Sequence, residues 1–293
     1  MHIKHYTHDK INFKKWDKCI SESKNGLIYA YSWFLNVVSP GWEALISDDF
    51  QYVMPLPVKK KYGIKYIVQP VLTQQLGVFS AKEIESSLID SFINAIPYFS
   101  YEMNLNEQNF TSDAEEKLNL TLDLQSSLKE IEANFSENTK RNINKAISNK
   151  VKLDWKLSAD HFLDFYFQAS VSYSKPNELI TRDLIRECIN NHSAKLIAAC
   201  NHDSEIISAL CLLRSGNRLI YILPVSNDQG KKVSAMFLIV SEIIKKYAGS
   251  NQILDFEGSM IEGIARFYRG FGSVEKPYYV IKRFRPAMLK GKI

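Results

Sequence analysis

Apolar and polar residues alternate along three early segments, EALISDD (43–49), QYVMPLPV (51–58) and IKYIVQPV (64–71). A period of two predicts strands. A helical pattern follows from about Lys82, with Ile84, Leu88, Phe92 and Ile96 four apart on one face. The same order returns as AKLIAACN, EIISALCLL and RLIYILPV, and then as a helix in SAMFLIVSEIIKKYA. An offset of 154 positions superimposes the two blocks without a gap. It places Asp49 on Asp203, Leu56 on Leu210, Pro70 on Pro224, Val71 on Val225 and Gln75 on Gln229. Ser80-Ala81 falls on Ser234-Ala235, where both helices are expected to begin. The repeated order predicts an α+β protein of two tandem domains, 1–118 and 119–293, each a mixed β-sheet flanked by helices.

Between the copies, NLNEQNFTSDAEEKLNL (104–120) reads as a polar linker. FSENTKRNINKAISNK (135–150) predicts a helix with Ser136 at its N-cap and an apolar stripe of Ile143, Ala146 and Ile147. Further helices are expected near 159–173 and 180–191, a strand at 252–257, and a last strand in YYVIKRF (278–284).

The stretch DFEGSMIEGIARFYRGFG (255–272) carries the densest candidate chemistry. Local structure accounts for part of it. Gly258 releases the strand into a turn, and Ser259 with Glu262 forms a capping box. Met260, Ile264, Phe267 and Phe271 supply a buried stripe, Arg266 pairs with Glu262 one turn on, and Gly270 and Gly272 stop the helix. Asp255 and Glu257 remain. Alternation sets both on one strand face, opposite Phe256. Two readings stand for this pair: solvated acids on an exposed edge, or carboxylates at a cleft where a raised pKa suits a general base. Tyr268 is likewise either a core tyrosine or a proton donor at a cleft.

Three further sets bear on ligands. In SNDQGKKVSA, the segment Gln229, Gly230, Lys231, Lys232, Val233 and Ser234 enters a helix, where backbone amides and two lysines suit an anion. Solvated lysines are the plainer reading. Asn138, Arg141 and Lys145 share one polar helix face, suited to phosphate or carboxylate or simply to water. Gln74 and Gln75 in QPVLTQQLG could bond a ligand or pack within a polar loop, and Arg266 and Arg269 face solvent or a phosphate.

Composition narrows the class. The 293 residues are 45% hydrophobic and 12% aromatic, a globular balance with ample core and no need of staples. A net charge of +5 permits an anionic partner without requiring one. The polar start MHIKHYTHDK predicts neither signal nor anchor, and no apolar run reaches the roughly 20 residues of a membrane span. Four cysteines without CxxC spacing fit a reducing compartment, so a cytoplasmic protein is expected. His2, His5 and His8 scatter across strand faces, so no metal is expected. No P-loop, GxGxxG or nucleophile triad is present.

A strand, an amide-rich loop onto a helix, a further strand, and then a helix carrying FYRGFG together resemble the second half of a GNAT-fold acyltransferase. Two such units, the second opened by TKRNINKA, resemble the FemAB-like branch across nearly the whole chain, most specifically in 255–272. The resemblance implies direct attack of an amine on an activated acyl group, without a covalent enzyme intermediate. Its donor would be acyl-CoA, placed slightly ahead, or an aminoacyl-tRNA. The acceptor would be a small-molecule amine or a peptidoglycan precursor, and DNA is not expected as a partner. Tyr268 matches the tyrosine that protonates the leaving group, and Glu257, then Asp255, the carboxylate that takes a proton from the amine. Residues 230–234 would meet donor phosphates, and Arg141 and Lys145 an anionic substrate. DQGKKVSA keeps only a fragment of the CoA-type Gln/Arg-x-x-Gly-x-Gly/Ala loop, and no long charged coiled coil of the tRNA-using kind is present. YFSYEMNLN ends the first copy without an acid pair, so one active site is expected, in the second domain. A binding protein that kept the fold without catalysis is the reading from another class.

Overall fold

The computed structural model describes residues 2–47, 49–170, 176–258 and 261–284. The chain divides into two units, Met1–Lys117 with Pro277–Ile293, and Leu118–Lys276. The first unit contains β1 (Ile3–Tyr6), α1 (Phe13–Glu22), α2 (Ser32–Val38), β2 (Glu43–Ser47), β3 (Val53–Leu56), β4 (Val58–Lys61), β5 (Ile64–Val68), α3 (Ser86–Asn94), β6 (Tyr101–Leu105) and β7 (Glu115–Lys117). The second begins with β8 (Leu120–Asp123), α4 (Leu128–Ala133), α5 (Glu137–Ser148), β9 (Lys152–Asp154), α6 (Ala159–Ala169) and α7 (Glu178–Asn190). It continues with β10 (Ala194–Cys200), β11 (Ile206–Ser215), β12 (Arg218–Ser226), α8 (Asp228–Lys232), α9 (Ala235–Tyr247), β13 (Ile253–Asp255), α10 (Glu262–Arg269) and β14 (Val274–Glu275). The last strand, β15 (Tyr278–Arg283), returns to the first unit.

The second unit is one sheet in the order β14-β8-β13-β12-β11-β10-β9. Only β12 and β13 run parallel within it. Strands β10 and β11 are buried on both faces, so their runs are apolar rather than alternating. Ile197, Leu210 and Leu212 join Leu238, Ile239 and Ile243 of α9 in a core that also takes Leu254, Phe256 and Phe271. In α5, the Ser136 side chain caps the Thr139 amide as expected. Its buried face is Thr139 and Ala146, whereas Ile147 is exposed.

The first unit repeats this order with one break. Strands β1-β2-β3 form one sheet and β4-β5-β6-β15-β7 another. Shifting by 154 sets β2 on β10, β5 on β12, and β3 with β4 on the single long β11. Pro57 separates β3 from β4, and a proline offers no amide to a ladder, so the strand is cut there. As in the second unit, β5 and β6 are the parallel pair, and β15 and β7 extend the sheet antiparallel.

Three further sequence expectations change. The linker 104–120 is not a plain loop, since β7 lies within it. The last strand, expected with the second domain, pairs with β6 and β7, where Val280 and Ile281 are buried. The first-copy helix begins at Ser86 rather than Ser80. Ser80 is fully buried and held by Asn25, its carbonyl accepting from the Lys24 amide, which keeps that segment extended.

Within the first unit Glu43 is buried and accepts from Lys65 Nζ at 2.7 Å and from the Tyr98 hydroxyl, with His5 Nε2 at 2.5 Å. Burial alone would raise this carboxyl, but the bonds from Lys65, Tyr98 and His5 hold it below the usual carboxylate range. A lowered folded pKa stabilises above the unfolded value, about 4.3 for glutamate, and that contribution is lost as pH falls through the folded value. Glu43→Gln is therefore expected to flatten the acid side of a melting-temperature profile while lowering the plateau at neutral pH. A second expectation concerns β15. A chain ended after Lys276 leaves β7 unpaired and one edge of β6 open, and hydrogen exchange should show protection lost in β7 and reduced in β6 but retained in β10–β12.

Candidate active site

Strands β12 and β13 pair over only three positions, Arg218↔Ile253, Leu219↔Leu254 and Ile220↔Asp255. Strand β12 then runs on to Ser226, and among the described residues no strand pairs with that edge. A bulge marks the parting. The β11 register slips between Ala209 and Cys211, and Leu223 takes a left-handed φ of +53°. The opening is a cavity of about 430 Å³. Tyr221 and Val225 from β12, Met236 and Phe237 from α9, and Phe267 and Tyr268 from α10 supply its largely apolar wall.

Tyr268 is buried and stacks on Phe256, ring centroids 4.7 Å apart, with Tyr221 edge-on at 5.6 Å. Phe237 meets Phe267 edge-to-face at 4.6 Å. These contacts fix the Tyr268 ring beside the cavity. Burial, and then the charge of Glu257, raise its hydroxyl above the ordinary tyrosine range. It is thus an un-ionised donor at neutral pH. Helix α10 begins at Glu262, with Ile261 in the N-cap position and no side-chain cap. Ser259 and Met260, named in the expected capping box and buried stripe, lie outside the described residues. The buried face is Ala265 and Tyr268 rather than Ile264, which is exposed. Glu262 lies 3.8 Å from Arg269, not beside Arg266 as expected.

The acid pair separates. Asp255 is 2% exposed and does not face a cleft. Its Oδ2 accepts from Arg218 Nη1 at 2.5 Å, and its Oδ1 from the Glu257 amide at 2.9 Å. The strand ends at Asp255, and Glu257 turns to a left-handed φ of +57°, so alternation does not carry the two carboxylates to one face. Gly258 follows at φ +60°, where a Cβ would lie 2.3 Å from the Leu118 carbonyl oxygen. Glu257 is half-buried, and its charge reaches Tyr268. Leu223, Ser234 and Glu257, all left-handed without being glycine, border this region, a concentration of backbone strain of the kind found at working sites.

The loop 229–234 differs from an open anion cradle. The Gly230 amide donates to Asn227 Oδ1, Lys231 to the Asn227 carbonyl, Val233 to that of Gln229 and Ser234 to that of Lys231. Gly230 is set by packing, because a Cβ there would lie 2.0 Å from the Ile207 carbonyl oxygen. Lys231 sits 3.3 Å from Asp228, Lys232 is exposed and Val233 packs on the core. The Ser234 hydroxyl donates to Asn142 Oδ1 at 2.7 Å, tying α5 to the start of α9. Gln229 Oε1 lies 3.5 Å from Asn201 Nδ2.

The other candidates do not line this cavity. Arg141 donates to Asn138 at 2.7 Å, Lys145 is exposed and Arg269 bonds Glu275 at 2.9 Å. Arg266 is exposed. Gln74 and Gln75 belong to the first unit, where Gln75 is buried, donates to Gln74 and accepts from the Glu107 amide. Sequence reasoning missed Tyr221, Met236, Phe237 and Arg218. The three apolar positions read as ordinary core, but a strand with proline one residue before its last apolar position, as in LIYILPV, is the trace of the bulge.

With this geometry in hand, the fold has clear counterparts. The chain superimposes on a crystal structure of FemX with a TM-score of 0.68 at 10% identity, covering 95% of this chain and 97% of the other. It is similar also to a C-terminal domain of a putative lysylphosphatidylglycerol synthetase from Agrobacterium fabrum (TM-score 0.58, 8% identity, 94% and 93% covered). L-PGS from Bacillus licheniformis gives 0.54 at 12% identity over 85% and 86%. The tandem, FemAB-like GNAT architecture read from the sequence is therefore the fold of this protein. No protein-family model and no curated protein sequence matches the chain.

Two substitutions test the frame of the site. Arg218→Ala strands the Asp255 charge in the interior and is expected to cost about 3–5 kcal/mol in urea unfolding. Gly258→Ala meets both the left-handed backbone and the Leu118 carbonyl, and should lower the melting temperature more than Gly263→Ala, which has open space.

Proposed function

We propose that the protein is an acyltransferase that moves an aminoacyl or acyl group from an activated donor to a primary amine, using the cavity beside β12. The observation that carries this reading is the parting of β12 from β13 onto an apolar cavity bordered by Tyr268. The unpaired strand edge offers amides and carbonyls to an extended ligand, and the aromatic wall excludes water from the reacting ester. The amine nitrogen forms a bond to the donor carbonyl carbon as the bond to the leaving oxygen or sulfur breaks. Glu257 accepts the proton lost by the amine, and the Tyr268 hydroxyl donates to the leaving atom. Asp255 acts by holding the turn that presents Glu257.

The donor we favour is an aminoacyl-tRNA ester. The amides of Gly230, Lys231, Val233 and Ser234 already have acceptors within the chain, so they are not free to cradle the diphosphate of CoA. The likeness to FemX supports the same choice and suggests an amine on a cell-wall precursor as acceptor. The open edge of β12 equally suits the amide-bearing arm of an acyl-CoA, which remains the second reading.

Thermal stability with charged tRNA and with acyl-CoAs separates the donors, since a ligand bound only by the folded chain raises the midpoint. A shift with tRNA alone supports the ester donor, and a shift with acyl-CoA alone overturns that choice. Tyr268→Phe is expected to lower turnover about 10²-fold or more while leaving the melting temperature nearly unchanged. Because its hydroxyl is raised, Tyr268 should add no falling limb to the rate profile below the ordinary tyrosine pKa of about 10. Wild-type turnover in both Tyr268→Phe and Glu257→Gln would overturn these roles.

A further inference from the structure

One end of the five-stranded sheet carries an unusual surface. Strands β4 and β5 are joined by the two-residue turn Tyr62-Gly63, both at positive φ, +51° and +80°. Such hairpin turns favour Asn or Asp with Gly, because a bulky side chain is strained in the left-handed region. Here a tyrosine takes that place with 79% of its surface exposed, beside Ile64 at 49%. Turn geometry does not explain this tyrosine. The parallel register Ile67↔Tyr101 sets Phe99 at the same end of the sheet, and the antiparallel register Arg283↔Tyr101 brings Phe284 there too. Phe99 and Phe284 are 66% and 59% exposed and meet with ring centroids 4.8 Å apart.

Beside Tyr62 and Ile64 the charges are lysines, whereas near Phe99 and Phe284 Arg283 is opposed by Asp113, both acting on Tyr101. Lys59, Lys60 and Lys61 follow one another along β4, and among the described residues no carboxylate pairs with them. Lys61 Nζ lies 5.7 Å from the Tyr62 ring centroid, and Arg283 is exposed beside Phe284. The buried Glu43 takes up the charge of Lys65.

Exposed aromatic and aliphatic tips flanked on one side by the lysines of β4 match the polarity gradient of a lipid interface. Rings settle at the headgroup level there, and lysines meet anionic phosphates. We propose that this end of the first unit docks the protein peripherally on a bilayer rich in anionic phospholipid, with Tyr62, Ile64, Phe99 and Phe284 entering the headgroup region. The inference does not rest on the transferase reading. A nucleic-acid partner would also meet lysines, but gains nothing from Ile64, and the β4 run contains no arginine to read phosphate or base edges.

Co-flotation of the full chain with vesicles tests this. One set would be phosphatidylcholine alone, and the other would carry one-third phosphatidylglycerol. Binding is expected to the anionic vesicles and to be weak on the neutral ones. Lys59→Gln and Lys60→Gln should weaken it by roughly fivefold per lysine. Tyr62→Ser/Ile64→Ser, on the turn, should weaken it about tenfold or more with an unchanged melting temperature. Phe99→Ser/Phe284→Ser should act in the same direction. The pair Lys129→Glu/Lys195→Glu, exposed in the second unit, should bind as wild type. No wild-type binding to anionic vesicles, or loss equal in the Lys129/Lys195 control, would overturn the proposal. So would binding insensitive to Tyr62→Ser/Ile64→Ser, or a tRNA pool displacing the vesicles through the same lysines.

Discussion

A single buried carboxylate decides where the second unit opens. Asp255 spends one oxygen on Arg218 at the base of β12 and the other on the amide of Glu257. The first contact clamps the parallel pair together for its short run. The second bends the chain away as soon as that run ends. With both oxygens committed, the strands can neither zip further nor come apart at the root. A buried pair of this kind adds little net stability, because desolvation offsets the attraction. Its effect is positional, fixing the place at which β12 loses its neighbour and a cavity begins.

The fold was legible where the physics is periodic. The offset of 154 found the strand order in both halves because the succession of apolar runs and polar turns survives even where few identities remain. It could not show that Pro57 cuts the long strand of one half into pieces in different sheets. Nor could it place β15, since a strand's own pattern says how it is buried and not which edge it joins. Burial on both faces also hid the meaning of Glu43, which alternation would leave in solvent but which sits 3% exposed among three donors.

The site was legible in part, and the failures have a common cause. Tyr268 could be singled out because a tyrosine between two arginines on an amphipathic helix has few plain explanations. Asp255 and Glu257 are the same chemistry two residues apart, and only the backbone turn between them separates a buried structural anchor from a half-buried acid beside Tyr268. In the loop 229–234 the residue types suit an anion, yet each amide's partner depends on how Asn227 and the short α8 fold back. The cavity wall from Tyr221, Met236 and Phe237 was invisible because apolar residues look alike whether they line a core or an opening.

The return of β15 to the first unit sets an order on synthesis. Residues 118–276 leave the ribosome as one uninterrupted block and hold every strand of their own sheet. The first unit, although translated earlier, waits for its closing strand until the whole of the second unit has been made. During that interval β6 presents an unpaired edge, the kind of surface that recruits stray strands from other chains. The half made first is finished last, so the nascent protein is most vulnerable at its oldest part.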